Sequence, residues 1–216
     1  MYLKSINFNR SVYVLGSQGI ADELKAHGID NFGVGPDTTP ESWTPGQAKF
    51  SIDKRVGAVV VGFDNQVSFV KLAKACSYVK RDDCLFIASN ADEAFPSPKP
   101  EIFVPGPGVY VAAIKCATGK DPIVLGKPDT YFFDIIRSQH PDIDPSRTVM
   151  IGDRLTTDMP FGHNNEMSTL HVQSGCCTKE EMFQYQASGD YEDQNCVPNY
   201  YLPSLATLNK YLVEYY

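Results

Sequence analysis

The feature that most constrains this chain is Thr148 to Met159, TVMIGDRLTTDM, where a short apolar run ends at Gly152 and Asp153 and a second carboxylate, Asp158, follows five positions later. The run has no polar alternation, so it reads as a strand buried on both faces of a parallel sheet covered by helices. Ligands of such sheets bind beyond the carboxyl ends of the strands, which is where Asp153 emerges. Two carboxylates at this spacing can converge on one hard cation, because magnesium takes a few oxygen ligands and keeps several waters. Gly-Asp after a strand also suits an ordinary turn with a helix N-cap. Spacing alone favours the metal over that turn only modestly.

The remaining segments repeat the same β-α-β wiring. SVYVL (11–15) is a strand, and Ser17 caps a helix that runs to about His27 and stops at Gly28. PDTTPESWTPGQ is an exposed loop in which Trp43 is expected to anchor onto a neighbouring surface. VGAVVVGF (56–63) is the strongest strand of the first half; a helix from about Val67 to Val79 and the strand CLFIAS (84–89) follow. Between Asn90 and Gly108 five prolines exclude both a helix and a central strand, and a stiff loop of that kind often borders a site. Val109 to Thr118 is a helix ending at Gly119. IVLG, a helix opened by Pro128, TVMIG, a short helix after Asp158, STLHV and a closing strand-plus-helix in YLPSLATLNKYL complete the chain. A division near residue 119 gives two α/β units of similar length, 1–118 and 119–216.

A formal charge of -7 with no Lys/Arg cluster argues against nucleic acid or an anionic membrane as the main partner. A protein of this charge that acts on phosphate esters must supply positive charge locally, through a metal and single lysines. The six cysteines show no zinc spacing, and Cys176 and Cys177 are adjacent, so free thiols in a reducing compartment are expected. The start lacks the apolar core of a signal peptide and no run approaches a membrane span, which points to the cytoplasm.

Several familiar sites are excluded. There is no GxxxxGK[ST] loop, Gly106-Pro107-Gly108 lacks the third glycine of a dinucleotide fingerprint, and no cysteine is followed six positions on by arginine. His27, His140, His163 and His171 have no ligand spacing, and packing or surface roles are expected for each. What remains is Lys127 in VLGKPD at the end of one strand, with Asp153 and Asp158 at the end of the next. An ammonium beside a magnesium site can neutralise the equatorial oxygens of a phosphoryl group in flight. Alone, Lys127 would be a solvated lysine before a helix; the GD…D element two dozen residues on makes that reading harder to keep.

These elements resemble the third and fourth motifs of the haloacid dehalogenase superfamily. VYVLGSQGIADELKAHGI, VGAVVVGFDNQVSFVKLAKACSYV, LFIASNAD, PGPG, LGKPDTYFFD, TVMIGDRLTTDM and VPNYYLPSLATL together look like its phosphoglycolate phosphatase branch, with the pyridoxal phosphate and p-nitrophenyl phosphatases. The resemblance implies an α/β fold with a Rossmann-like core, present here in part, and an α/β cap: residues 1–118 are mostly cap, 119–216 the second part of the core. It implies Asp153 as a direct magnesium ligand, Asp158 as the carboxylate that steadies the ion or its water, and Lys127 as the lysine that balances nucleophile and phosphate charge. Asn90 and Asp92 fall in the cap segment that faces the core and are candidate contacts to a small phosphate-ester substrate. Thr156 stands where an acidic residue is usual, and Pro107 where the PGTG pattern has threonine.

The family's nucleophile, an aspartate in a DxDG element after an apolar strand with an acid-base aspartate two positions on, has no counterpart in these residues. Asp142-Ile143-Asp144 has the spacing but lies between prolines, and Asp64 follows a strong strand without a second carboxylate two residues later. Two expectations follow: weak metal binding with negligible turnover, and TVMIG left as an apolar sheet edge prone to association. The leading reading is a magnesium-dependent phosphate monoester hydrolase in shortened, inactive form. The alternative is a non-catalytic binding or regulatory chain that dimerises through its cap, with itself or with a full-length relative.

Overall fold

Val12 and Val14 point to one side of their strand and Tyr13 and Leu15 to the other, yet all four are buried, so the first sheet must be covered on both faces. The computed structural model describes residues 1–38, 50–96, 99 and 101–215; Trp43 and two prolines of the stiff loop, Pro98 and Pro100, lie outside the described residues. It divides into two units, Met1–Leu125 and Gly126–Tyr216.

In the first unit a short helix α1 (Tyr2–Ser5) precedes β1 (Ser11–Leu15), α2 (Gln18–Ala26), β2 (Asn31–Phe32), β3 (Val56–Val61), α3 (Phe69–Val79) and β4 (Leu85–Ala88). A small hairpin, β5 (Ala94–Phe95) with β6 (Val104–Pro105), then α4 (Gly108–Thr118) and β7 (Ile123–Val124) complete it. The sheet is fully parallel, in the order β2-β1-β3-β4-β7. One core packs Tyr13, Val59 and Phe86 against Tyr78 of α3 and Ile114 of α4. The other packs Val12, Val60 and Ile87 against Leu3, Ile20 and Leu24 of α1 and α2. Ser68 caps α3 by accepting the Lys71 N–H, and the left-handed Gly28 and Gly119 close α2 and α4 where the sequence places those stops.

One strand departs from expectation. IVLG is assigned by sequence to the second half, but Ile123 and Val124 pair with Ile87 and Ala88, which moves the division from residue 119 to the step between Leu125 and Gly126. A short connection after α4 returns the chain to the nearest open sheet edge, beside β4.

The second unit holds α5 (Tyr131–Gln139), a 3-10 turn (Pro145–Arg147), β8 (Val149–Gly152), α6 (Asp158–Asn164) and β9 (Ser168–Val172). After them come α7 (Lys179–Ala187), α8 (Tyr191–Asn195), β10 (Tyr200–Leu202) and α9 (Leu205–Tyr215). Its sheet is parallel, β10-β9-β8, with β8 at the edge among the described residues. Met150 packs with Phe133, Phe161 and Met167 under α5 and α6. The opposite face of β8 is open: Val149 is 49% and Ile151 38% exposed, so burial on both faces is corrected to burial on one. On the open face Val149 and Ile151 line an apolar groove of about 650 Å³ with Leu170, Leu208 and Leu212 rather than a filled core.

Candidate functional site

Lys127, Asp153 and Asp158 all belong to the second unit, and local structure brings them together. β8 stops at Gly152, so Asp153 leaves the sheet at its carboxyl edge, and Asp158 opens α6. Asp158 is buried and fully engaged. Its Oδ1 accepts a hydrogen bond from Lys127 Nζ at 2.6 Å, and its Oδ2 accepts the backbone N–H groups of Asp153 and Arg154, each at 3.0 Å. A Cβ at residue 152 would collide with the Asp158 carboxylate, so glycine is required there. Both oxygens of Asp158 are thus taken by protein donors, which fixes the Lys127 ammonium and the turn that carries Asp153.

Asp153 is held differently. Its Oδ2 accepts the Cys176 N–H at 3.0 Å, and its carbonyl accepts the Cys177 N–H at 3.2 Å. Gly175 makes the approach possible, since a Cβ there would meet the Asp153 carboxylate. Burial pushes the Asp153 carboxyl up, but hydrogen bonds from the Cys176 N–H and thiol and the nearby Arg154 charge outweigh it and hold its pKa below the usual carboxylate value. It is therefore ionised at neutral pH, the state in which a carboxylate binds a hard cation. Among the described residues no group of three or more His, Cys, Asp or Glu converges as a ready cation cage. One ionised carboxylate at a strand end, with an ammonium fixed nearby, fits magnesium, which binds through one or two carboxylates and keeps its waters.

The two substitute nucleophiles are occupied elsewhere. Asp144 Oδ1 accepts from the Ser146 N–H and hydroxyl at the 3-10 turn. Asp64 is buried, 2.5 Å from Lys71 Nζ, and accepts the Gln66 N–H at 2.8 Å. Asn90 and Asp92 lie past the carboxyl end of β4 in the first unit. The Asn90 side chain accepts the Asp92 N–H at 3.2 Å, and the Asp92 carbonyl accepts the Gly108 N–H at 2.9 Å, which ties this turn to the start of α4. Near them Phe63, 41% exposed, meets Phe95 edge-to-face with ring centroids 5.2 Å apart.

Sequence reasoning passed over the loop after β9. Cys176 is exposed and its thiol is pushed up, first by burial and then by the hydrogen bond and charge of Asp153, so it keeps its proton and donates to that carboxylate. His171 is wholly buried. Its ring faces the backbone of Gly152 and Cys177, yet neither ring nitrogen has a well-formed hydrogen bond to a described residue. The available signal was position: His171 sits on β9, the strand beside β8, and Cys176 in the loop that leaves β9 at the same carboxyl edge.

A family model described as haloacid dehalogenase-like hydrolase matches residues 4–165, and one described as HAD-hydrolase-like matches residues 124–208. Glycerol-3-phosphate phosphatase of Gallus gallus is 38% identical over 199 residues, covering 92% of this chain and 63% of that protein. Chronophin of Bos taurus is 39% identical over 198 residues, covering 92% and 62%. The chain thus spans less than two thirds of the length of these relatives. Among solved structures, the 4-nitrophenylphosphatase of Thermotoga maritima matches with a TM-score of 0.72 at 25% identity, over 97% of this chain and 68% of that one. The glycerol phosphate phosphatase of Mycobacterium tuberculosis, solved with magnesium, matches with a TM-score of 0.73 at 23% identity, over 96% and 54%, a likeness of fold.

Proposed function

The chain belongs to the haloacid dehalogenase-like hydrolase family, and from that premise we propose that it carries the cation-binding and charge-balancing part of a magnesium-dependent phosphate monoester hydrolase for small metabolites. The observation that carries this reading is Asp158, which joins Lys127 Nζ and the Asp153 turn through its two carboxylate oxygens. Asp153 would hold the magnesium ion. When bound, that ion supplies positive charge to the phosphate oxygens. Asp158 holds the Lys127 ammonium in place, so that a second positive charge would stand where the transferring phosphoryl group bears negative charge. The names of the relatives, among them glycerol-3-phosphate phosphatase and chronophin, support small phosphate esters as the substrate class. Asn90 and Asp92, beside the Phe63–Phe95 pair, are proposed as contacts to the part of the ester away from phosphorus.

These 216 residues hold no strand-following pair of aspartates for attack on phosphorus and for proton transfer. A polypeptide of this sequence alone is therefore expected to bind magnesium weakly and to hydrolyse p-nitrophenyl phosphate no faster than its Asp153→Ala variant. Turnover above that control would sink the inactivity. Electron paramagnetic resonance with manganese(II) in place of magnesium tests the cation site: Asp153→Asn should abolish the bound signal and Lys127→Ala should leave it detectable.

A further inference from the structure

We propose that His171 is a positioning residue for the Asp153 carboxylate, and that its buried ring braces the turn carrying Asp153 against the loop that follows β9. The placement follows from strand alternation. Thr169 lies on the α6 side of β9, where a Cβ at Gly162 would meet its methyl group, and Leu170 lines the groove on the opposite side, so His171 returns to the α6 side. In the ladder it stands opposite Gly152, the residue before Asp153. Its ring lies against the backbone of Gly152 and of Cys177. Between those two residues run the bonds that hold Asp153: the Cys176 N–H donates to its Oδ2 at 3.0 Å and the Cys177 N–H to its carbonyl at 3.2 Å. One side chain thus meets both halves of the lock.

Histidine is a costly filler for this place. The residue is wholly buried, and neither ring nitrogen has a well-formed hydrogen bond to a described residue. Polar atoms buried in that way lower stability, whereas leucine would fill a similar volume without them. The cost is accounted for when the two ring nitrogens set the backbone around Asp153, because an aliphatic side chain packs there but cannot orient a carbonyl or an N–H. Groups that orient a cation's ligand, without binding the cation, govern how tightly it is held. That last step rests on the phosphatase reading of Asp153; the bracing of its turn does not.

The full chain carries the test. His171→Leu should leave the urea midpoint unchanged or higher, since it removes unpartnered polar atoms. It should also speed hydrogen exchange of the Cys176 and Cys177 amides relative to the β8–β9 ladder, and weaken manganese(II) binding followed by electron paramagnetic resonance, each by roughly tenfold. His171→Asn or His171→Gln, each returning a polar group, should restore part of both losses. Unchanged exchange at the two amides overturns the proposal. So does a lowered urea midpoint with faster exchange throughout the second unit, or restoration by neither polar variant, because the ring would then be packing alone. If the wild-type chain binds no manganese while the two amides respond as expected, the bracing stands and the cation assignment of Asp153 falls. If the wild type binds manganese and His171→Leu binds it equally well, the assignment stands and the positioning role falls.

Discussion

Asp158→Asn preserves the outline of the side chain and removes the charge addressed by Lys127 Nζ and two backbone N–H groups. Hydrogen bonds to a buried charged group contribute about 1.5–3 kcal/mol, so urea unfolding of this variant should show a loss of that order. Its bound manganese signal should weaken as well, because the Asp153 turn loses its anchor. The buried Asp64–Lys71 pair gives a second test, with side chains 3% and 1% exposed and Lys71 also donating to the Gly35 carbonyl at 2.8 Å. Either Asp64→Asn or Lys71→Met alone leaves an uncompensated buried group and should cost roughly 3–5 kcal/mol, while the double variant should recover part of that in a double-mutant cycle. At this scale the sequence told much. It singled out Lys127, Asp153 and Asp158 from their positions at strand ends, because an apolar run that breaks into Gly-Asp leaves the carboxylate nowhere to go but the sheet edge. It could not show that Asp158 is spent on protein donors, nor that Cys176 and His171 come to the same edge, since the Lys127–Asp158 and Asp153–Cys176 contacts join segments that sequence spacing does not pair.

Among the elements, β8 shows both the strength and the limit of pattern reading. An uninterrupted apolar run fixed it as a parallel strand, but the same run gives no sign of how many neighbours the strand has; it pairs only with β9 among the described residues, and Val149 and Ile151 stand exposed. Such an edge is a template for association. Ile151→Lys should place a charge on the open face and lower the fraction of higher-mass species in sedimentation velocity, without loss of the far-ultraviolet helix signal. α7 is legible only through its start: Thr178 and Glu181 form a reciprocal capping box, a signature written in residue types rather than in hydrophobic period. β7 was recognised as a strand but given to the other half, because propensity names an element without naming its partner.

At the level of the whole molecule, the first unit covers its five-stranded sheet on both faces, each with its own apolar cluster. A polypeptide of residues 1–125 is therefore expected to fold alone, with a cooperative thermal transition and dispersed amide resonances; a featureless spectrum would show that its cores need the rest of the chain. The expected α/β architecture with parallel sheets is what the structure shows, as β-α-β repetition dictates. The division at Leu125–Gly126 carries one more consequence. Each unit is made from an unbroken length of polypeptide, so a single covalent crossing joins them. One cut there would leave each piece with its complete set of described strand pairings, and the two could then be prepared separately and mixed.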